Sequence, residues 1–450
     1  MLHVNLGREN TLAGGVRTTL KTLVSGDTTI INGEELYVNR ILNFPMALDL
    51  YKEVKPFVKY FGVTPAFRAV IDYFKVPEGE TPAGFRIEYV LAEDGVLRAD
   101  LVRDIAYDKN GQKRPTQFLF SADTADPYDV APISHMLVNL TCNPGIIYDL
   151  FINNPKANIG KKFKTRDEVM AELGRILGPG VDISVELNNP FEASEQAILE
   201  ECAKFREMLS PYRVVIKVPH TGPVNAENVK ELLTGDKLFQ RRYYEGPTKD
   251  MLRGHNLALM LREHGYKVNF TLMFEPYQTP LALQAKPYFI NSFVRHRMFQ
   301  ASQLRRLLKM YRATDETRFL EDLRALMIKS DFLAPQDKDL SLLEVKHTAE
   351  EVLKYRKFDG AQESDGLDSV RYNLRLLRNC NLPDTRLIVC SMEGPTMYPD
   401  IASLLVEDEF KDMMHRLVIT AVPAYLARFT SCNHVVSYQR RFMSAAQGQS

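Results

Sequence analysis

Lys217 is the residue whose surroundings most clearly predict chemistry. It lies in the run Val214–Pro219, which is otherwise almost entirely apolar, as buried parallel strands are. An ammonium buried in such a strand costs roughly several kcal/mol unless it is paired or deprotonated. Burial lowers a lysine pKa, which predicts a neutral amine able to attack a carbonyl carbon and form a Schiff base. The alternative is a lysine whose stem covers apolar surface while its ammonium reaches water.

Polar residues also lie in other apolar runs, where residues of one parity share a face. Asp123 and Glu186 close two of these runs, while Asn143, Asn269 and Thr271 lie in two more. Catalytic groups of a barrel gather at the carboxyl ends of its strands, so convergence at one mouth favours an active site. Taken singly, each has a structural explanation. Asp123 and Glu186 suit loop caps, Asn143 before a Pro-Gly pair suits a turn, and Thr271 suits any strand.

The elements that must position these residues are short apolar runs alternating with helical patterns from residue 116 onward. The runs are Gln117–Asp123, Met136–Asn143, Val181–Leu187, Arg213–Pro219, Lys267–Phe274, Pro287–Val294, Thr385–Met392 and Arg416–Val422. This alternation favours parallel βαβ units, and eight strands close a (β/α)8 TIM barrel over residues 116–450. An open doubly wound sheet is the alternative, although no GxGxxG motif follows an early run.

Residues 1–115 lie outside this alternation and predict an N-terminal α+β appendage. Helical patterns there are followed by the alternating segment Phe85–Val90, a turn, and a run over residues 96–106 that suits a hairpin. This segment carries no recognisable chemistry.

Ninety residues, 295–384, separate the sixth and seventh runs, about three times what a loop and a helix need. They carry helical patterns over Met298–Tyr311, Thr317–Lys329 and Ser341–Arg356. The sequence therefore predicts a helical insertion at about 298–384, between strands 6 and 7 of an α/β barrel.

The composition is that of an ordinary globular chain, with 45% hydrophobic and 25% charged residues. Its 57 basic residues balance 57 acidic ones, so no net field favours nucleic acid or an anionic membrane. No apolar run approaches the roughly 18–20 residues of a membrane span. Five scattered cysteines without CxxC spacing argue against a disulfide framework and a zinc site. We expect a cytoplasmic protein without metal, nucleic-acid or membrane partners; a homo-oligomer is compatible with the sequence.

Taken in order, the runs resemble the motifs of the transaldolase family, including its fructose-6-phosphate aldolase branch, over about residues 118–430. Six segments carry the similarity: Ala122–Asp126, Leu140–Pro144, Ile183–Glu186, Ile216–Pro219 followed by Thr221, Val268–Phe274 and Phe289–Val294. The resemblance implies a (β/α)8 barrel, Schiff-base chemistry without a cofactor, and a sugar or sugar phosphate as the substrate.

The resemblance also implies roles for individual residues. Lys217 would form the Schiff base and Asp123 would act as general acid and base. Glu186 and Thr271 would position the water that takes part in dehydration and proton relay. Substrate binding would fall to three asparagines, Asn143, Asn269 and Asn291.

The sequence departs from the family at the residues that would bind a phosphate. His296 stands at the position of the family's phosphate-binding arginine in an ungapped match. Arg295 and Arg297 flank it and would bind phosphate after a one-residue shift; a solvated helix start is the alternative. Glu393 stands near the position of a second phosphate-binding arginine, where its charge would repel a phosphate.

The leading interpretation is a transaldolase-like transferase that moves a dihydroxyacetone unit between a ketose and an aldose. One alternative is a Schiff-base aldolase, a lyase that releases dihydroxyacetone or acts on an unphosphorylated sugar. Another is a catalytically silent, sugar-sensing barrel. Turnover without an acceptor aldose would distinguish the lyase from the transferase.

Overall fold

The computed structural model describes residues 4–5, 16–356, 366–392, 394 and 397–448. Before the barrel, these ranges contain seven strands and four α-helices. The strands are β1 (Val4–Asn5), β2 (Arg17–Thr19), β3 (Thr29–Ile30), β4 (Pro45–Ala47), β5 (Tyr60–Val63), β6 (Phe85–Leu91) and β7 (Val96–Arg103). The helices are α1 (Leu20–Val24), α2 (Glu35–Ile41), α3 (Leu48–Val54) and α4 (Pro65–Phe74).

The N-terminal strands form one five-stranded sheet and one two-stranded sheet. β6 and β7 make the antiparallel hairpin that the alternating pattern predicts, with Tyr89 opposite Ala99. β5 then pairs in parallel with both β7 and β3, which gives the order β1-β6-β7-β5-β3. Helices and strands are therefore mixed here, as an α+β segment requires; a domain boundary near residue 115 stays a prediction.

The second part of the chain is a closed barrel of eight parallel strands, so the predicted (β/α)8 fold is confirmed. The strands are β8 (Leu119–Asp123), β9 (Leu137–Cys142), β10 (Asp182–Glu186), β11 (Val214–Pro219), β12 (Lys267–Thr271), β13 (Phe289–Phe293), β14 (Arg386–Cys390) and β15 (Leu417–Ala421). β15 pairs back to β8, with Thr420 beside Ser121, and this pairing closes the ring.

Alternate residues of each barrel strand face two environments. On β10, Ile183 and Val185 belong to the apolar core between the strands and the outer helices. Ser184 lies between them and hydrogen-bonds to side chains of β9 and β12 inside the barrel. Because the apolar layer fixes which parity faces outward, it also fixes which polar residues face the barrel interior.

The described residues from 119 onward contain thirteen α-helices. They are α5 (Pro127–Val130), α6 (Arg166–Leu177), α7 (Glu195–Leu209), α8 (Thr248–Met251), α9 (Arg253–Glu263), α10 (Gln278–Gln284), α11 (Val294–Thr314), α12 (Arg318–Lys329), α13 (Leu342–Lys354), α14 (Asp368–Asn379), α15 (Met397–Leu405), α16 (Pro423–Ala427) and α17 (Asn433–Ala446). None of the helices in the described ranges combines the length and hydropathy needed to cross a membrane.

Helices α11, α12 and α13 form a bundle between β13 and β14. Leu304, Leu323 and Val345, one from each helix, are buried in a cluster that is separate from the barrel core. By contrast, α14 packs on the barrel core through Val370 and Leu374. The bundle therefore ends before α14, earlier than the limit near residue 384 expected from the helical pattern.

The N-terminal segment closes the end of the barrel where the strands begin. Arg103 donates to Asp182 at the start of β10, at 2.6 and 3.0 Å, and Asp104 accepts from Arg386 at 2.7 Å. The next residue, Ile105, belongs to an apolar cluster that also contains Val215 and other residues inside the barrel. A ligand would therefore reach the interior from the opposite end, where the strands finish.

Candidate active site

Lys217 lies inside the barrel on β11, with Glu186 and Asn269 as its neighbours on β10 and β12. Its side chain is buried, and its Nζ lies 3.1 Å from Glu186 Oε2. Valine and isoleucine on the other parity hold the strand against the surrounding helices. The strand thus holds the amine away from bulk water and beside a carboxylate.

The charge state of Lys217 is set by two opposing effects. Burial lowers the pKa of its amine, but the Glu186 and Asp123 carboxylates raise it by more, so the pKa lies above the ordinary lysine value. The sequence-based expectation of a neutral amine is therefore wrong for the substrate-free protein. Lys217 rests as an ammonium, and it must lose a proton before it can act as a nucleophile.

Asp123 and Thr271 end two other strands at the same mouth of the barrel. Thr141 on β9 donates its hydroxyl to Asp123 Oδ1 at 2.9 Å, which holds the carboxylate at the end of β8. Thr271 is buried at the end of β12, and its carbonyl accepts the backbone N–H of His220 at 2.8 Å. The charge of Asp123 raises the pKa of Lys217, so the two groups interact through the cavity.

A chain of hydrogen-bonded side chains crosses the barrel interior beside Lys217, and we call it the amide belt. Its members come from five strands: Asn291, Asn269, Ser184, Asn139 and Ser121. Each donates to the next: Asn291 to Asn269 at 2.6 Å, Asn269 to Ser184 at 3.1 Å, Ser184 to Asn139 at 3.2 Å and Asn139 to Ser121 at 2.9 Å. The belt fixes the orientation of the Asn269 amide next to Lys217.

Replacing Asn139 with alanine is expected to lower the free energy of unfolding by about 1–3 kcal/mol, because the change leaves buried hydroxyls without their amide partner. Urea denaturation would measure the loss. Ser121→Ala is the control, because it removes only the last acceptor of the belt and should cost less. Equal stability of Asn139→Ala and the unchanged protein would contradict a structural role for the belt.

Asn143 has the structural role that was considered as its alternative, which is to begin a turn. Its Oδ1 accepts the backbone N–H of Ile146 at 2.9 Å, which is the bond of an asparagine that begins a turn. The residue is half-buried just after β9. A role in substrate binding stays a prediction for its remaining amide group.

The residues expected to bind a phosphate are separated by the structure. Arg297 is buried and donates to Glu275 at 2.9 Å, to Asp368 at 2.5 Å and to the carbonyl of Tyr355 at 3.0 Å. Phosphate binding by Arg297 stays a prediction, which this placement does not favour because two carboxylates already hold its guanidinium. Its contacts instead join α11 to α14 and to the loop after β12.

Arg295 and His296 stay near the barrel mouth at the start of α11. The backbone N–H of Arg295 donates to the carbonyl of Ser391, and the Ser391 hydroxyl lies 2.9 Å from His296 Nδ1. Phe274 packs its ring edge against His296 with centroids 5.9 Å apart. Glu393, which was expected to repel a phosphate, lies outside the described residues.

Two side chains near the belt and the barrel base, each with its reactive atom buried, were missed by the sequence reasoning. Cys390 faces inward from the end of β14, with its Sγ 3.7 Å from Asn291 Oδ1, and burial raises the pKa of its thiol. Lys267 begins β12 on the same parity as Asn269, and burial lowers the pKa of its amine to about 8. Because alternate residues of a strand face the same side, the spacing of each from inward-facing residues would have placed both inside the barrel.

The backbone turns sharply just beyond two of the site strands. Leu272 after β12 and Ser391 after β14 both have a left-handed backbone, with φ of 56° and 58°. This conformation is unfavourable for residues other than glycine and is characteristic of functional sites. Here it occurs directly beyond Thr271 and Cys390.

The comparisons with known proteins agree with this geometry. The family model described as transaldolase/fructose-6-phosphate aldolase matches residues 120–317, which include β9–β13 and nearly all of β8. A comparison with curated proteins gives no match. The matched segment contains Lys217, Glu186, Asp123 and all five residues of the amide belt. Residues 120–317 of this barrel are therefore similar to the transaldolase/fructose-6-phosphate aldolase family.

Proposed function

We propose that this barrel forms a Schiff base at Lys217 and transfers a dihydroxyacetone unit from a ketose to an aldose. The observation that carries the proposal is the buried Lys217–Glu186 pair at 3.1 Å, with the Asp123 carboxylate acting on the same amine. An amine, a proton acceptor beside it and a second carboxylate are the groups that imine formation and carbon–carbon cleavage need.

The first step is the loss of a proton from the Lys217 ammonium to Glu186, whose carboxylate is within hydrogen-bond distance. Entry of a sugar displaces water from the mouth, which disfavours the separated charges of the pair and favours the neutral amine. The Lys217 nitrogen then attacks the ketose carbonyl carbon. The carbonyl oxygen leaves as water, with protons returned by Glu186 and a water held near Thr271, and a protonated imine remains.

Cleavage then follows from the positive imine nitrogen. Asp123 takes the proton of the C4 hydroxyl, the C3–C4 bond breaks, and its electron pair moves to the imine to form an enamine. The shortened aldose leaves, and a second aldose accepts the enamine at C3 by the reverse sequence. The amides of Asn143, Asn269 and Asn291 would hold the substrate hydroxyls during these steps. The imine serves as the electron sink, so the proposal calls for no cofactor.

Reductive trapping tests this proposal directly. Borohydride added in the presence of fructose 6-phosphate should leave a three-carbon adduct on the peptide that contains Lys217, as detected by mass spectrometry. An adduct at another lysine, or no adduct with any ketose tried, would contradict the assignment. The second result would favour the sugar-sensing barrel.

A lyase that acts on a sugar without phosphate is the second candidate, and the placement of Arg297 favours it. Because that guanidinium is engaged by Glu275 and Asp368, the mouth has one cation fewer than expected for a phosphorylated tail. Comparing fructose with fructose 6-phosphate, each with and without an acceptor aldose, separates the candidates. A transferase needs the acceptor for steady turnover, whereas a lyase does not.

Glu186→Gln is expected to move the pH profile of imine formation towards acid. The carboxylate raises the pKa of Lys217 while burial lowers it, so a neutral amide leaves burial as the larger effect. As the pH is raised, the neutral amine of the variant therefore forms at a lower pH than that of the unchanged protein. Rates of cyanoborohydride trapping across a pH series would measure the change, with Glu195→Gln on the exposed start of α7 as the control. A shift towards base would contradict the role given to Glu186.

A further inference from the structure

A groove between α11 and α13 carries an excess of positive charge, and we call it the basic groove. Its volume is about 850 Å³. Five cations line it, four from α11 and one from α13: Arg305, Arg306, Lys309, Arg312 and Lys354. Glu350 is the one carboxylate among the described residues that line it. Among the described residues, the lining therefore has four more positive than negative charges, although the whole chain has none in excess.

The cations of the basic groove are only partly compensated. Arg312 pairs with Glu350 at 2.8 Å, and Lys354 pairs with Glu351 at 3.7 Å. Arg306 and Lys309 are exposed one helical turn apart, and neither forms an ion pair with any residue that the structure describes. Like charges at this spacing repel one another, so the free groove is electrostatically unfavourable. A bound anion would relieve the repulsion.

We propose that the basic groove binds a small polyanion that carries at least two phosphate-like groups. Its volume lies within the usual range for small-molecule sites. Arginine forks match the oxygens of a phosphate, and α11 presents three of them along one side. Leu308 and Leu353 also line the groove and give it an apolar floor.

Hydrogen bonds connect this groove to the loop after β12. Arg305 donates to the carbonyl of Arg356, which follows α13, and the Arg356 guanidinium pairs with Glu275. Glu275 lies four residues beyond Thr271 and also accepts from Arg297 of α11 at 2.9 Å. An anion bound beside Arg305 competes with the Arg356 carbonyl for its guanidinium and so changes its hold on Arg356. The loop that follows Thr271 would therefore respond to occupancy of the groove.

Calorimetric titration of the full chain with inorganic tripolyphosphate, at constant ionic strength, tests the site without any turnover. We expect saturable binding of one tripolyphosphate per chain. Arg306→Gln combined with Lys309→Gln should weaken it at least tenfold. Arg440→Gln combined with Arg441→Gln, on the exposed helix α17, is a control with the same change of charge and should bind as the unchanged chain does.

Three results would overturn the proposal. They are no saturable binding, equal weakening in the α17 control, and tighter binding of a short RNA oligonucleotide that the groove variant also loses. The connection to the loop has its own test. Tripolyphosphate should slow amide hydrogen exchange in residues 272–277, and Glu275→Gln should remove that effect while binding persists. These readouts need no Schiff base, so their failure and the failure of the proposed catalytic function are distinguishable.

Discussion

Replacing Lys217 with methionine is expected to abolish the borohydride-trapped adduct and to lower turnover by on the order of 10⁴-fold or more, because the covalent intermediate can no longer form. Methionine retains most of the volume of the buried side chain, so the barrel should still close. The change leaves Glu186 without its cation, and thermal unfolding must therefore accompany the assay. If this variant does not fold, the double variant with Glu186→Gln removes the unpaired charge and serves the same test.

Lys267→Met is the matched control, because Lys267 is the other inward-facing lysine on these neighbouring strands. Its amine lies 4.3 Å from the centre of the Tyr288 ring near the closed end of the barrel. We expect this variant to keep the three-carbon adduct. Trapping that survives in Lys217→Met and disappears in Lys267→Met would exchange the roles of the two residues and refute the proposed site.

The two lysines show what a sequence can and cannot predict about an amine. An apolar run correctly predicts that Lys217 is buried, and burial alone predicts a lowered pKa. That direction holds for Lys267, whose pKa is lowered to about 8, whereas Lys217 has a raised pKa. The difference comes from Glu186 and Asp123, which are distant in sequence. Only the register of β10 against β11 brings Glu186 beside the amine.

The barrel itself was predictable because each strand carries its own local signal. All eight strands lie within the apolar runs marked from the sequence, and α11–α13 lie close to the predicted helical patterns. The side of the strand that each residue faces was predictable for the same reason. Asn269 and Thr271 are two residues apart, so they were expected to face the same side of their strand. The order of bonds in the amide belt was not predictable, because it depends on the pairing of five strands.

Side chains with several possible partners were the hardest to predict. A guanidinium that follows the sixth strand can bind a phosphate or a carboxylate equally well. Nothing in the sequence near Arg297 identifies Glu275 and Asp368 as its partners. Packing of the helical bundle against the barrel decides between the two. Asn143 shows the opposite case, because its turn bond is made within three residues and was foreseen as an alternative.

Asp123→Asn is expected to leave imine formation intact and to slow carbon–carbon cleavage by about 10²–10⁴-fold, the usual contribution of a general base. The amide oxygen can still accept the hydroxyl of Thr141, which holds Asp123 at 2.9 Å, so the local geometry should be kept. The neutral side chain cannot take the proton of the C4 hydroxyl, and the imine should accumulate before its C3–C4 bond breaks.

Mass spectrometry of the trapped protein separates the two steps for Asp123→Asn. With fructose 6-phosphate, the unchanged protein should give a three-carbon adduct on Lys217, whereas the variant should give the intact six-carbon sugar phosphate on the same residue. Thr141→Val is the control, because it removes the hydroxyl donor and keeps the carboxylate, and it should still give the three-carbon adduct. Loss of both adducts in a folded Asp123→Asn protein would mean that Asp123 acts in imine formation. Cleavage would then need another base.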